Sequence, residues 1–171
     1  MNFRNLRYLS FVGEYTTLLG DIIPCDTEDI KNLEYNLKLK LPQAYKEFLL
    51  IMGQSGANFK NGSDFSFEYL PLLKEEANEI IENDTGKILP NEAFVFLVHR
   101  NYMFFYFIIN GDDNPEIYFY IEGDFKEPLL VDKSFSKYIE RSLKYFFFSK
   151  KGDWENMKKY VSKPLKGSKI K

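Results

Sequence analysis

The stretch from Phe94 to Ile121 restricts the fold more than any other part of the chain. Phe94-Val-Phe-Leu-Val98 and Tyr102-Met-Phe-Phe-Tyr-Phe-Ile-Ile109 consist mostly of aromatic and β-branched residues, whose bulk sits well on a pleated surface. Asn110-Gly-Asp-Asp-Asn-Pro115 then supplies a dense run of turn formers before Glu116-Ile-Tyr-Phe-Tyr-Ile121. Such runs read as antiparallel strands joined by hairpins. A period of two sends Ile117, Phe119 and Ile121 to one face of the last strand, and Glu116, Tyr118, Tyr120 and Glu122 to the other. The first face needs a cover; the second is amphipathic and is expected to be reachable from solvent.

Helices flank this sheet in the sequence. Residues 3–19 have a weak helical period and are expected to form an N-terminal helix. Asp26 or Thr27 caps a second, in which Ile30, Leu33 and Leu37 share one stripe. Leu41-Pro42 suits the start of a third, because proline lacks an N–H that the first turn leaves unpaired anyway. Tyr45, Phe48, Leu49 and Met52 follow at helical spacing until Gly53 and Gly56 stop it. Residues 54–63 read as a surface loop before a short strand at 65–69. A helix near 73–83 buries Leu73, Ala77, Ile80 and Ile81 and turns Glu75, Glu76, Glu79 and Glu82 outward. A last strand near 129–131 leads to Ser134, which caps a helix with Phe135, Tyr138, Ile139, Leu143 and Phe146 on one side. That helix should cover the apolar face of the sheet.

The order is that of an α+β protein. The expected architecture is an antiparallel sheet of about four to six strands with helices packed on one face, N-terminal helices before it and a closing helix after it. At 171 residues the chain makes one domain, over 1–150. Residues 151–171 add a short helix with Trp154, Met157 and Val161 and a Lys-rich end expected to fray.

Charge is unevenly spread. Residues 64–127 hold fourteen acids against Lys74, Lys87, Arg100 and Lys126, a local −10 inside a chain whose net charge is only −2. Residues 149–171 hold eight lysines, including Lys163, Lys166, Lys169 and Lys171, against Asp153 and Glu155. An acidic body repels nucleic acid, whose affinity rests on phosphate neutralisation, and attracts basic proteins. No apolar run approaches the ~20 residues of a membrane span. Nor does the N-terminus carry the apolar stretch of a secretory signal, so a cytoplasmic protein is expected.

Catalytic patterns are sparse. Gly53-Gln-Ser-Gly-Ala57 nearly matches the turn of serine hydrolases, but a helix leading into a loop is the wrong setting, and Ser55 would need the lone His99 as its base. Cys25 stands between Pro24 and Asp26 with no base nearby to lower its pKa, as an idle thiol would. One Cys and one His cannot assemble a structural zinc site. Asp112, Asp113, Glu122 and Asp124 do not follow the spacing of a Ca²⁺ loop and read as turn formers and exposed acids. No phosphate-cradling glycine motif is present. Neither a metal nor a cofactor is expected.

Several segments carry a resemblance. Ile30-Lys-Asn-Leu-Glu34, Leu39-Lys-Leu-Pro42-Gln-Ala-Tyr45-Lys-Glu-Phe48-Leu49, Gly53 and Gly56 resemble the opening signature of the SUKH superfamily. Ala93-Phe-Val-Phe-Leu, Tyr118-Phe-Tyr-Ile-Glu-Gly123 and Ser134-Phe-Ser-Lys-Tyr-Ile139 are similar to that family's sheet core and closing helix. The resemblance spans about 26–145. It implies a non-enzymatic α+β binding module. Many bacterial members resemble immunity proteins that neutralise the toxin encoded beside them, and fungal relatives are regulators of cell-wall synthesis. The expected function is therefore binding and occlusion of a cognate protein toxin with a basic surface, without nucleic acid or membrane. The alternative is a regulatory or scaffolding module unconnected with any toxin. Asp112, Asp113, Glu116, Tyr118, Tyr120, Glu122 and Asp124 are the expected contact patch, because tyrosine gives contact area at low entropic cost and carboxylates steer.

Overall fold

Asp26 opens the first long helix with a complete capping box. Its side chain accepts from Asp29 N–H at 2.8 Å, and the Asp29 carboxylate accepts from Asp26 N–H at 3.0 Å. The computed structural model describes residues 6–161. In chain order the helices are α1 (Thr16–Leu19), α2 (Thr27–Leu37), α3 (Gln43–Met52), α4 (Leu73–Thr85), α5 (Phe135–Lys150) and α6 (Trp154–Lys158). The strands are β1 (Ser63–Asp64), β2 (Ala93–His99), β3 (Met103–Ile108), β4 (Ile117–Ile121) and β5 (Leu129–Asp132). They form one antiparallel meander in the order β1-β2-β3-β4-β5.

Two sequence expectations need correction. The single N-terminal helix is instead a 3₁₀ turn at Ser10–Glu14 followed by the one-turn α1. Gly13 and the β-branched Val12, Thr16 and Thr17 disfavour a continuous helix here, and the segment is held by tertiary contacts: Tyr8 N–H donates to the buried Glu47 carboxylate of α3 at 2.8 Å. The strand expected at 65–69 is a pair of turns, with pairing confined to Ser63 and Asp64. Phe67 N–H donates to Gly53 O, and Tyr69 and Leu70 N–H close turns on Ser66 and Phe67, leaving no ladder to extend.

Both faces of the sheet are covered. On one, Phe94, Phe96, Phe105 and Phe107 meet Tyr45 of α3 and Phe135 and Tyr138 of α5, with Phe119 stacked on Phe105. Phe135 lies 5.2 Å from Tyr45 and 5.4 Å from Phe96 between ring centroids, and Tyr138 lies 5.2 Å from Phe105. Edge-on contacts of this kind add to the burial of large rings. Phe94 and Phe96, two apart on β2, turn into this layer by strand alternation, and the register shifts between Val95 and Leu97. Helices were expected on this face, and α5, capped by Ser134, covers it as its apolar stripe requires.

The opposite face is covered by α4. Its Ala77, Ile80 and Ile81 are buried. Beneath them Phe104 stacks on Tyr120 at 5.4 Å and Tyr106 on Tyr118 at 5.4 Å. Close approach also fixes two glycines behind α3. A Cβ on Gly53 would come within 2.5 Å of Cys25 Sγ and 2.7 Å of Leu49 O, and one on Gly56 within 2.6 Å of the Phe65 ring. The Lys-rich end from residue 162 lies outside the described residues.

Candidate functional site

Packing α4 on the sheet presents the acids of this helix on one surface. Once Leu73, Ala77, Ile80 and Ile81 point inward, helical geometry leaves Glu75, Glu79 and Glu82 exposed along the outer side. Glu76 lies between the two sides and is half-buried. Its Oε2 is shielded from water and has no hydrogen-bond partner among the described residues. Burial first, then the negative charges of Asp64 and Glu79, push its carboxyl above the ordinary range.

The neighbouring hairpin shapes a notch beside Glu76. Arg100 and Asn101 both take left-handed backbone, with φ of 47° and 55°, in the three-residue connection, 100–102, between β2 and β3. Asn101 thereby reaches a cavity of about 170 Å³ that it shares with Glu76, Glu79, Ile80, Asn83 and Glu122. Glu122 is held at this end by its N–H, which donates to Tyr102 O at 2.9 Å. Three carboxylates thus line one notch, and none of the cavity's lining residues is a cation.

The contact patch expected from sequence is divided by the fold. Glu122 and Asp124 are exposed in the turn after β4, next to the α4 acids. Asp112, Asp113 and Glu116 are exposed in the loop before β4, which puts them at its other end, roughly 20 Å of strand away. That loop is tied down: Asp113 O accepts from Ala44 N–H at the start of α3, and Asn114 exchanges two hydrogen bonds with Ser136 of α5. The two tyrosines also differ. Tyr118 is half-buried and its hydroxyl donates to Glu116 at 3.0 Å.

Tyr120 is fully buried, so the expectation that it faces a partner is corrected. Its hydroxyl donates to Asp84 of α4, whose carboxylate also accepts from Gly123 N–H at 3.0 Å. These bonds hold the Asp84 carboxyl below its ordinary range, while burial and then Asp84 push the Tyr120 phenol up. Tyr120 is a bolt between α4 and β4. What sequence reasoning left out of the site is the outer side of α4: Glu75, Glu76, Glu79 and Glu82 were legible as its outward face, but their union with Glu122 needs the fold.

The residues weighed for catalysis separate. His99 Nδ1 lies 2.8 Å from the hydroxyl of Ser63, its cross-strand neighbour, rather than from Ser55. Ser55 Oγ accepts from Ala57 N–H at 3.1 Å. Burial, then Arg100 and Lys60, hold the His99 imidazole below its ordinary value. Cys25 is buried against Gly53, and desolvation followed by Asp29 and Asp26 pushes its thiol up to about 12. A thiol so held is a poor nucleophile.

A five-stranded antiparallel meander with α3 and α5 on one face and an acidic helix on the other defines an α+β domain of a recognisable class. The model of the SMI1/KNR4 family (SUKH-1) matches residues 24–141, and the chain belongs to that family. No curated protein matches it. Among the described residues no helix is long and apolar enough to cross a membrane.

Proposed function

We propose that this chain is a cytoplasmic immunity protein, which binds a cognate toxin and occludes its active surface by offering carboxylates to a basic region there. The observation that carries the reading is the notch beside α4. Glu76 presents a buried carboxylate oxygen with no hydrogen-bond partner among the described residues, and Asp64, Glu79 and Glu122 deepen the negative potential around it. Leaving such an oxygen unsatisfied costs free energy in the isolated protein, and a lysine or arginine from a partner would recover it. Family membership supports the same reading, since SUKH proteins resemble binding modules rather than enzymes.

The division of labour follows from position. Glu75, Glu79 and Glu82 steer a basic partner toward the notch, where a field of one sign raises association rates by roughly 10 to 10³. Glu122 and Asp124 extend the surface across the β4 turn. Asp112, Asp113 and Glu116, with Tyr118, form a second acidic edge that a partner burying on the order of 1,200 to 2,000 Å² in total could reach only by spanning β4. Tyr120 acts from beneath by fixing α4.

Co-expression tests this. The protein encoded beside this gene should arrest growth when expressed alone and should be neutralised when this chain is supplied. Glu79→Lys combined with Glu82→Lys should abolish the rescue at an unchanged level of soluble protein. Binding to a neighbour that has no toxic activity would instead make the chain a regulatory or scaffolding module. Full rescue by the doubly reversed variant would remove α4 from the contact surface.

A further inference from the structure

A second polar cavity lies away from the acidic face and independent of it. It measures about 170 Å³ and is lined by Lys60, Ser142, Tyr145, Tyr160 and Val161. Its outer wall is firmly built. Tyr160 stacks on Phe148 at 5.5 Å with rings 8° from parallel, Lys144 Nζ stands 5.6 Å from its ring, and its carbonyl accepts from Arg141 at 3.5 Å.

The inner wall holds a cation without an acceptor and a hydroxyl short of partners. Lys60, in left-handed backbone at φ 54°, sends its amine to 5.0 Å from the Tyr138 ring centroid and 5.5 Å from that of Phe105. Among the described residues this amine has neither a hydrogen-bond acceptor nor a carboxylate at ion-pair distance. The nearby carboxylate, Asp132, is engaged by Arg141. Ser142 is only 6% exposed; its Oγ and the Tyr138 hydroxyl one turn earlier on α5 face each other, and among the described residues neither has another hydrogen-bond partner. Desolvation, followed by repulsion from Arg141, brings the Lys60 amine down to about 8, which still leaves it mostly charged at neutral pH.

An ammonium with no acceptor, beside a buried hydroxyl whose one polar neighbour is another hydroxyl, is costly to bury. The group that would complete them carries negative charge and several oxygen lone pairs. At roughly 30 Å³ per water, the cavity has room for a group the size of phosphate with a water beside it. We propose that this cavity is a binding site for a small oxyanion, held by the Lys60 ammonium and the Ser142 hydroxyl and closed by Tyr160. Lys150, Lys151, Lys158 and Lys159 at this end of the molecule favour its approach.

Titration of the full chain with inorganic phosphate, at constant ionic strength set by chloride, tests the site. Amide resonances of Lys60, Ser142 and Tyr160 should shift saturably with a Kd of about 1 mM or tighter, and Tm should rise with phosphate concentration. Lys60→Met keeps the stem on the rings and removes the charge; it should weaken binding at least tenfold. Ser142→Ala should weaken it about threefold. A parallel titration with acetate distinguishes a tetrahedral from a carboxylate preference. Absence of saturation, or shifts confined to the exposed lysines of α5 and α6, would overturn the proposal. So would an unchanged affinity in Ser142→Ala, which is informative even if Lys60→Met fails to fold.

Discussion

The two faces of the sheet are packed by different chemistry. Against α3 and α5 the contact is ring on ring; among the described residues the hydroxyl of the buried Tyr45 has no hydrogen-bond partner and that of Tyr138 meets only Ser142. Against α4 two of the tyrosines are anchored to carboxylates at the rim, Tyr120 to Asp84 and Tyr118 to Glu116. The first face supplies the burial that folds the chain. The second gives up some of that burial to bring charge to the surface, and the contrast separates residues that hold the fold from those available to a partner.

The contrast breaks most visibly at Phe135, which is fully buried and meets Tyr45, Phe48, Phe96, Phe107 and Tyr138. Phe135→Ala should cost about 3 to 5 kcal/mol, measured by urea unfolding, because a ring-sized cavity in an interlocked layer collapses poorly. A loss below about 1 kcal/mol would mean that this layer is less tightly packed than its contacts show.

On the α4 face the effects are smaller and depend on pH. Tyr120→Phe should lower Tm by a few degrees at neutral pH by removing the donor to Asp84. The Asp84 carboxyl titrates below its ordinary 3.8 in the folded chain, so its stabilising contribution is present above that value and lost as pH falls through the folded one. Tyr120→Phe should therefore differ least from the parent at the acid end of a pH series. Glu76 has the opposite sign. Its folded value lies above the ordinary 4.5, so it costs stability fully above the folded value and not at all below the unfolded one. Glu76→Gln removes the charge, so it should raise stability in urea unfolding at neutral pH and leave it unchanged near pH 3. The same variant should bind a basic partner more weakly.

Smallest in stability is the reversal of the exposed acids. Glu79→Lys with Glu82→Lys should move unfolding by no more than about 0.5 kcal/mol, as surface changes usually do.

Much of this division was written in the residues. The capping box at Asp26, the stripe of α4, the meander and the cap at Ser134 are local patterns whose outcome depends little on the rest of the chain. Tyr120 was not readable in this way. Period two put it correctly opposite Phe119, but a tyrosine suits an open surface or a buried rim equally well, and its acceptor Asp84 lies 36 residues away in sequence. Phe65 and Phe67 likewise alternate as a strand would. The backbone groups of Phe67 are spent instead on Gly53 and on a turn to Leu70, and the first of these pairings only the tertiary structure creates. The acidic notch fell between these cases: its charges were visible, and its convergence on Glu76 was not.

The account rests on α4 offering charge to a partner while the aromatic layer behind it holds the shape. The direct measurement is the affinity of the purified chain for the product of the adjacent gene, followed across salt concentration, with and without the Glu79→Lys and Glu82→Lys changes. The parent should bind tightly and lose affinity as salt rises. The reversed variant, with its unfolding curve superimposable on the parent's, should bind about tenfold more weakly or worse and lose most of that salt dependence. Equal affinity and an equal salt slope in the two proteins would contradict it.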